Sequence, residues 1–395
     1  MNKKTENKAV SPWQWVPSLY FAQGIPYVVV MSVAVILFKR MGMSNTDIAL
    51  YTSGLNLPWV IKPLWSPLVD LLKTKRWWIV VMQILVGAGL AGIALTIQGP
   101  LAFRYCLAFM WLLAFSSATH DIAADGFYML GLNEKKQAYF VGIRNTFYRF
   151  AVIFGQGILV MFAGWLEQRY AREMPETAAI PQAWSLTFYL LTILFALLFV
   201  YHYLFLPHPR RDTCTLPPQQ ASAGRVFKEF LGTFTSFFQK KHIVSALIFI
   251  LLYRFAEAQL VKITSPFLLD TPATGGLALS TAEVGFIYGT IGVIALTIGG
   301  IVGGIAMARR GLKSCLWTMT IAMNLPNIVY LYLSFARPES IGIISGCVAI
   351  EQFGYGFGFT SLTYFMMLFS NGKHQTAHYA ICTGFMALGL MLPGM

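Results

Sequence analysis

Apolar runs long enough to cross a bilayer follow one another along most of this 395-residue chain, separated by short polar connections. A helix needs roughly 20 mostly apolar residues to span the hydrocarbon. Eleven segments meet that length: 13–38, 47–72, 77–97, 101–130, 140–165, 183–206, 242–269, 281–308, 313–335, 340–369 and 376 to the end. The pattern predicts an all-α polytopic membrane protein. The eleventh run is still apolar at Met395, so the C-terminal half is read as cut short within that span.

The longest polar connection, 207–241, divides the chain. It separates an N-terminal six-helix half (1–206) from a C-terminal half (242–395) with about five spans present. Pro207–Ala223 is Pro-rich and polar, the composition of a flexible linker. After it, Phe227, Phe230, Leu231, Phe234, Phe237 and Phe238 recur at helical spacing beside Arg225, Lys228, Lys240 and Lys241. That pattern predicts an amphipathic helix, lying either on the membrane surface or under the helix bundle.

Composition agrees: 56% of residues are hydrophobic and 11% charged, against about 25% charged in soluble domains. The five cysteines show no paired spacing, so neither a disulfide framework nor a metal-ligand set is expected. The net charge of +13 would fit a nucleic-acid partner, but its placement does not. Eighteen Lys and Arg lie in connections on the N-terminal side of the membrane and six on the other. This asymmetry predicts a cytoplasmic N-terminus. The positive charge is a topology signal, and no nucleic acid is expected.

Two connections echo each other. Ser66-Pro-Leu-Val-Asp70 precedes Lys73, Lys75 and Arg76; Gly304-Ile-Ala-Met-Ala308 precedes Arg309, Arg310, Gly311 and Lys313. A small residue, a short spacer and a tight basic turn resemble the loop between spans two and three of each half in major facilitator superfamily transporters. Asp70, Arg309 and Arg310 are therefore the candidate gating-loop residues. Such folds bind solute near the midplane between two halves that rock to alternate access.

Charges inside the spans narrow the chemistry, because each is costly in hydrocarbon and needs a cavity or a partner. Asp121 and Asp125 are four apart and share a helix face. They read either as a proton-coupling pair or as a latch bridged to Arg144 or Arg149. His120 beside them reads as a structural, hydrogen-bonded residue or as a titrating group. Lys62 sits among Pro58, Pro63 and Pro67, which break the helix where the backbone can line a cavity. It is placed to meet a solute carboxylate, to pair with the Asp121/Asp125 face, or to reach the interface. Arg254 and Glu257 are three apart and can neutralise each other. By helical rise, Glu257 lies about 22 Å and Glu351 about 16 Å into their segments. Both acids are candidates for proton coupling, Glu351 because no basic residue neighbours it in sequence. Gln23, Asn324 and Asn327 fall near mid-depth, where amides hydrogen-bond a polar solute or join helices. The run Gly299-Gly300-Ile-Val-Gly303-Gly304 is read as a close-packing face.

Several stretches resemble the AmpG-type muropeptide permeases of the major facilitator superfamily, over nearly the whole chain. They are Tyr20-Phe-Ala-Gln-Gly24-Ile-Pro26, Leu57-Pro58 through Lys62 to Trp65-Ser-Pro67 with Asp70, and, most specifically, Ser117-Ala-Thr-His-Asp121-Ile-Ala-Ala-Asp125. Gly142-Ile-Arg144, Leu252-Tyr253-Arg254 with Glu257, Ser265-Pro266-Phe267-Leu-Leu-Asp270, Glu283-Val-Gly285 and Glu351 complete the likeness. His120 stands where the family often has Gln, Glu257 where it has Asp, and Arg254 where it has Lys. The resemblance implies a monomeric, proton-driven importer without a bound cofactor in the bacterial inner membrane. Its solute would be a wall-derived anhydro-sugar peptide, anionic or zwitterionic. Gln23, Lys62, Arg144, Arg254, Asn324 and Asn327 are then the expected solute contacts. Asp121, Asp125, Glu257 and Glu351 are the expected proton or gate residues. The alternative is the same fold carrying another anionic or polar solute, such as a sugar, an acyl-coenzyme thioester or a siderophore-like anion. An intramembrane transferase would need a clustered catalytic set, for which His120-Asp121 is the sole candidate.

Overall fold

The computed structural model describes residues 10–214 and 223–391, and among these it is helical throughout, with no strand. Eight helices among the described residues are long and apolar enough to cross a membrane. They are Pro12–Arg40, Lys75–Thr96, Ala102–Gly131, Glu134–Tyr170, Glu176–Phe205, Ile243–Leu260, Glu283–Arg310 and Leu312–Ala336. The other three expected segments are helical too. The tenth, Ile341–Ser370, is diluted by Glu351, Gln352 and its glycines, and the eleventh is described over Gln375–Met391. The second is divided into Asn45–Ser53, Leu57–Ile61 and Ser66–Leu72.

The interruptions follow from the sequence. Pro58, Pro63 and Pro67 each remove a backbone donor, and 3₁₀ turns at Gly54–Asn56 and Lys62–Leu64 take up the change of pitch. Pro326 does the same in the ninth segment, where Leu325–Asn327 is a 3₁₀ turn. The seventh segment breaks at Arg254 (φ −104°, ψ 12°), where neither proline nor glycine is present. Wider, π-helical turns occur at Val29–Val33, Phe154–Leu159 and Ile287–Gly292.

Two compact units emerge, residues 1–132 with 147–226, and residues 133–146 with 227–395. In the first, the core joins Ile25, Val33 and Leu37 to Val86, Leu90, Met110, Leu113, Trp184 and Phe188. In the second, an aliphatic and aromatic cluster of Leu268, Ile287, Tyr330, Leu333, Ile344 and Val348 is supplemented by glycine packing. A β-carbon at Gly299 would stand 2.2 Å from the Phe353 carbonyl oxygen, and one at Gly356 2.1 Å from that of Leu296. One at Gly142 would stand 2.0 Å from the Gly300 carbonyl oxygen. The glycine run expected to serve close packing does so, because lipid supplies no hydrophobic drive between helices and backbones must approach.

The connection 207–241 departs from a flexible linker where it is described. Asp212 is buried. The Asp212 carboxylate accepts the backbone N–H groups of Lys75 (2.7 Å) and Arg76 (3.0 Å), satisfying orphan donors at a helix start. Residues 215–222 lie outside the described residues. The amphipathic helix then forms over Ala223–Phe238. Thr233 and Phe237 are its buried edge, with Phe237 edge-on to Phe369 and His378. Lys240 donates to the carbonyls of Phe369 (2.8 Å) and Asn371 (2.9 Å), and its partial burial lowers its pKa.

Gly299→Ala is expected to cost about 1–3 kcal/mol through overpacking against backbone that cannot yield. Gly164→Ala, with nothing near its added methyl group, should be neutral or gain up to about 1 kcal/mol of helix propensity. Thermal unfolding of the two purified variants separates these outcomes.

Candidate functional site

In the first unit the proline-broken second segment brings Lys62 against the fourth. The buried Lys62 ammonium donates to Asp121 Oδ2, and Gln23 Nε2 donates to the other carboxylate oxygen. Asp121 thus has Lys62 as an ion-pair partner, because the 3₁₀ turn at Lys62–Leu64 carries the lysine onto its face. Lys62 does not reach for an interface. One turn further on, buried Asp125 accepts from Tyr20 Oη at 2.9 Å. Gln23 Oε1 is buried without a hydrogen-bond partner among the described residues. Aromatic rings surround this cluster: Tyr27 meets Trp59 edge-on at 5.2 Å and Tyr148 at 6.0 Å, and Trp65 Nε1 donates to Thr119 at 3.2 Å.

Beside it runs a polar chain that sequence reading found only in part. His120 is bonded to Gln83 at 3.1 Å, and Gln83 to His202 at 2.8 Å. His202 bonds Ser18 at 3.0 Å, and Ser18 donates to the Trp15 carbonyl at 3.2 Å. An amide nitrogen between two ring nitrogens donates to both, so both imidazoles accept there. The chain ties the first, third, fourth and sixth segments, and the hydrogen-bonded reading of His120 holds. Gln83 and His202 were visible only as polar residues in otherwise apolar runs.

The second unit builds its charge pair locally. The break at Arg254 lets its guanidinium reach forward to Glu257 with two hydrogen bonds, 2.9 and 3.1 Å, and donate to Tyr355 Oη at 2.9 Å. It also lies 4.9 Å from the Phe359 ring centroid, with Tyr355 and Phe359 stacked. Glu351 accepts from Gln352 (2.9 Å) and Tyr330 (3.5 Å). Arg144 donates to Tyr379 Oη at 2.9 Å. Asn324 donates to the Thr320 carbonyl of its own helix, and the Nδ2 of Asn327 is buried without a partner among the described residues.

The two echoing connections differ. Asp70 forms a buried ion pair with Lys75 at 2.7 Å. Arg309 and Arg310 are exposed in the last turn before Gly311 (φ 77°), where cations favour the helix dipole. They make no ion pair among the described residues. The small residue that opens the second connection serves close packing, since a β-carbon at Gly304 would stand 2.7 Å from the Tyr139 carbonyl oxygen.

Removing one partner of the buried pair strands the other charge. Lys62→Met is expected to cost about 3–5 kcal/mol, and adding Asp121→Asn should restore most of it. Chemical unfolding of the single and double variants in one detergent measures the recovery. Equal stability of all three would mean that the pair carries no net burden.

Comparison with known proteins places this geometry. The sequence profile of the Major Facilitator Superfamily matches residues 18–393. The putative transporter AmpG 4 of Rickettsia conorii is 26% identical over 374 residues, spanning 92% of this chain and 83% of the relative. The anhydromuropeptide permease of Escherichia coli K12 is 24% identical over 383 residues, spanning 95% and 71%. In fold, the chain is similar to the transporter FucP in its outward conformation, with TM-score 0.62 at 16% identity, covering 97% of this chain and 99% of FucP. It is similar too to the human organic anion transporter MFSD10, with TM-score 0.62 at 13% identity, covering 96% and 91%. At those identities the structures speak for the fold alone. The chain belongs to the Major Facilitator Superfamily, as a multi-pass membrane transporter of a small-molecule solute and not an enzyme.

Proposed function

We propose that this protein imports cell-wall-derived muropeptides, or anhydro-sugar peptides, across the bacterial inner membrane by proton-coupled alternating access. It works as a monomer with a cytoplasmic N-terminus and no bound cofactor, the proton gradient being the driving force. The name of the Escherichia coli relative supports the cargo, and the lysine and arginine asymmetry supports the orientation.

The observation that carries the reading is the Gln23–Asp121–Lys62 cluster. A solute carboxylate that takes Lys62 strips Asp121 of its counter-charge. Binding a proton at Asp121 then removes an uncompensated buried charge, so anion and proton enter together. Gln23 Oε1 offers a sugar hydroxyl or amide its missing acceptor, and Tyr27 and Trp59 offer the aromatic faces that polar ligand sites commonly use. Asp125, held by Tyr20, is a second proton site one turn away, and Glu351 is the one in the second unit. Arg254 offers a solute its guanidinium within a fixed pair with Glu257, and Arg144 and Asn327 are further candidate solute contacts of the second unit. The Asp70–Lys75 pair and Arg309 with Arg310 serve the gate.

Membrane vesicles given labelled anhydromuropeptide should accumulate it with an imposed proton gradient and merely equilibrate when an uncoupler is added. Absence of gradient-dependent accumulation would reject this cargo, and a panel of sugars and organic anions would then identify the solute carried. Asp121→Asn should reduce accumulation to the uncoupled level while solute exchange persists. Wild-type accumulation by this variant would remove Asp121 from coupling.

Asp125→Asn is expected to insert and fold yet fail to accumulate solute. A wild-type uptake rate would exclude Asp125 from both coupling and latching.

A further inference from the structure

The helix Ala223–Phe238 is left with a second apolar face once its contacts are drawn. Its Thr233–Phe237 edge is occupied, as is Glu229, which pairs with Lys373 at 2.9 Å. Phe227, Leu231 and Phe238 recur on the neighbouring face and are 63%, 48% and 51% exposed. At 100° per residue these three fall within one narrow stripe, while Lys228 and Thr235 fall beside it on the polar side. The spans, in contrast, are apolar all round.

Connectivity fixes the level at which this stripe sits. The helix ends at Phe238, and the left-handed residue His242 (φ 61°) turns the chain directly into the seventh segment at Ile243. Lys240 is bonded to carbonyls at the end of the tenth segment, and His378, near the start of the eleventh, accepts from or donates to Ser236 at 3.2 Å. Three segment ends thus hold the helix at the boundary of the hydrocarbon. Sixteen residues long, it lies across roughly 24 Å there.

We propose that this helix is a lipid-binding surface: Phe227, Leu231 and Phe238 insert between the headgroups of the adjacent leaflet, and Lys228 with Lys241 engages anionic headgroups. A membrane surface is the partner that matches both features. It offers hydrocarbon on one side of the stripe and negative charge on the other, the combination that interfacial helices use. Lys228 and Lys241 are both exposed. The proposal does not depend on which solute is carried or on proton coupling. Because the helix is joined to the seventh, tenth and eleventh segments, lipid charge would bear on their ends.

The test is amide hydrogen exchange across 223–238 in the intact protein, in nanodiscs of phosphatidylcholine with and without phosphatidylglycerol. Anionic lipid should slow exchange, and Lys228→Gln should remove about fivefold of that protection, the factor equivalent to one basic residue at a charged surface. Leu231→Ser should speed exchange in both bilayers without changing the solute-transport rate in neutral lipid. Exchange that is the same in both bilayers overturns the recognition of anionic lipid. Exchange unaltered by Leu231→Ser overturns the insertion, because the helix would then be held by its protein contacts alone.

Discussion

Everything in this fold answers to the cost of leaving a polar group unmatched in hydrocarbon. The pair between Lys62 and Asp121 is its clearest expression, with Gln23 filling the second carboxylate oxygen. Neither charge would be tolerated alone at that depth, and together they need a second segment that bends. The three prolines supply the bend, and the 3₁₀ turn at Lys62–Leu64 delivers the lysine. The same rule places Gln83 between two histidines and the Asp212 carboxylate on the bare amides of Lys75 and Arg76. Where no side chain serves, glycines let backbones close on one another, as at Gly299 and Gly356.

Much of this was legible in the sequence, for definite reasons. Long apolar runs have one stable form in lipid, so the helical segments could be read from length alone. Prolines announce their own breaks, and Arg254 with Glu257 lie within one turn of helix. What could not be read needed distance: Asp121 meets residues 59 and 98 positions away, and His202 meets one 119 positions away. The break at Arg254 carries no proline or glycine, so nothing local announced it. Asp212 misled for the opposite reason, since its Pro-rich surroundings carry a linker's composition while its carboxylate has a fixed task. The π-helical turns likewise leave no mark that composition or periodicity detects.

The two units meet the same electrostatic demand in ways that differ in what they permit. In the second, the guanidinium and carboxylate sit three residues apart on one segment, so no movement between segments parts them. Tyr355 and Phe359 hold the guanidinium from the tenth segment. That arrangement keeps the pair closed, at the cost of a broken helix. In the first, the partners come from three different segments, and any shift of the second relative to the fourth lengthens the ion pair.

The proposed coupling calls for one interaction that changes with occupancy and another that stays put. A pair made between segments, next to a buried acceptor with no hydrogen-bond partner among the described residues, has the first property. Its strength depends on how the segments sit, and a competing anion can replace one member. A pair made within a turn has the second, because its geometry travels with its own helix. Chain connectivity separates the two: Lys62 and Asp121 are paired between segments, Arg254 and Glu257 within one turn of helix.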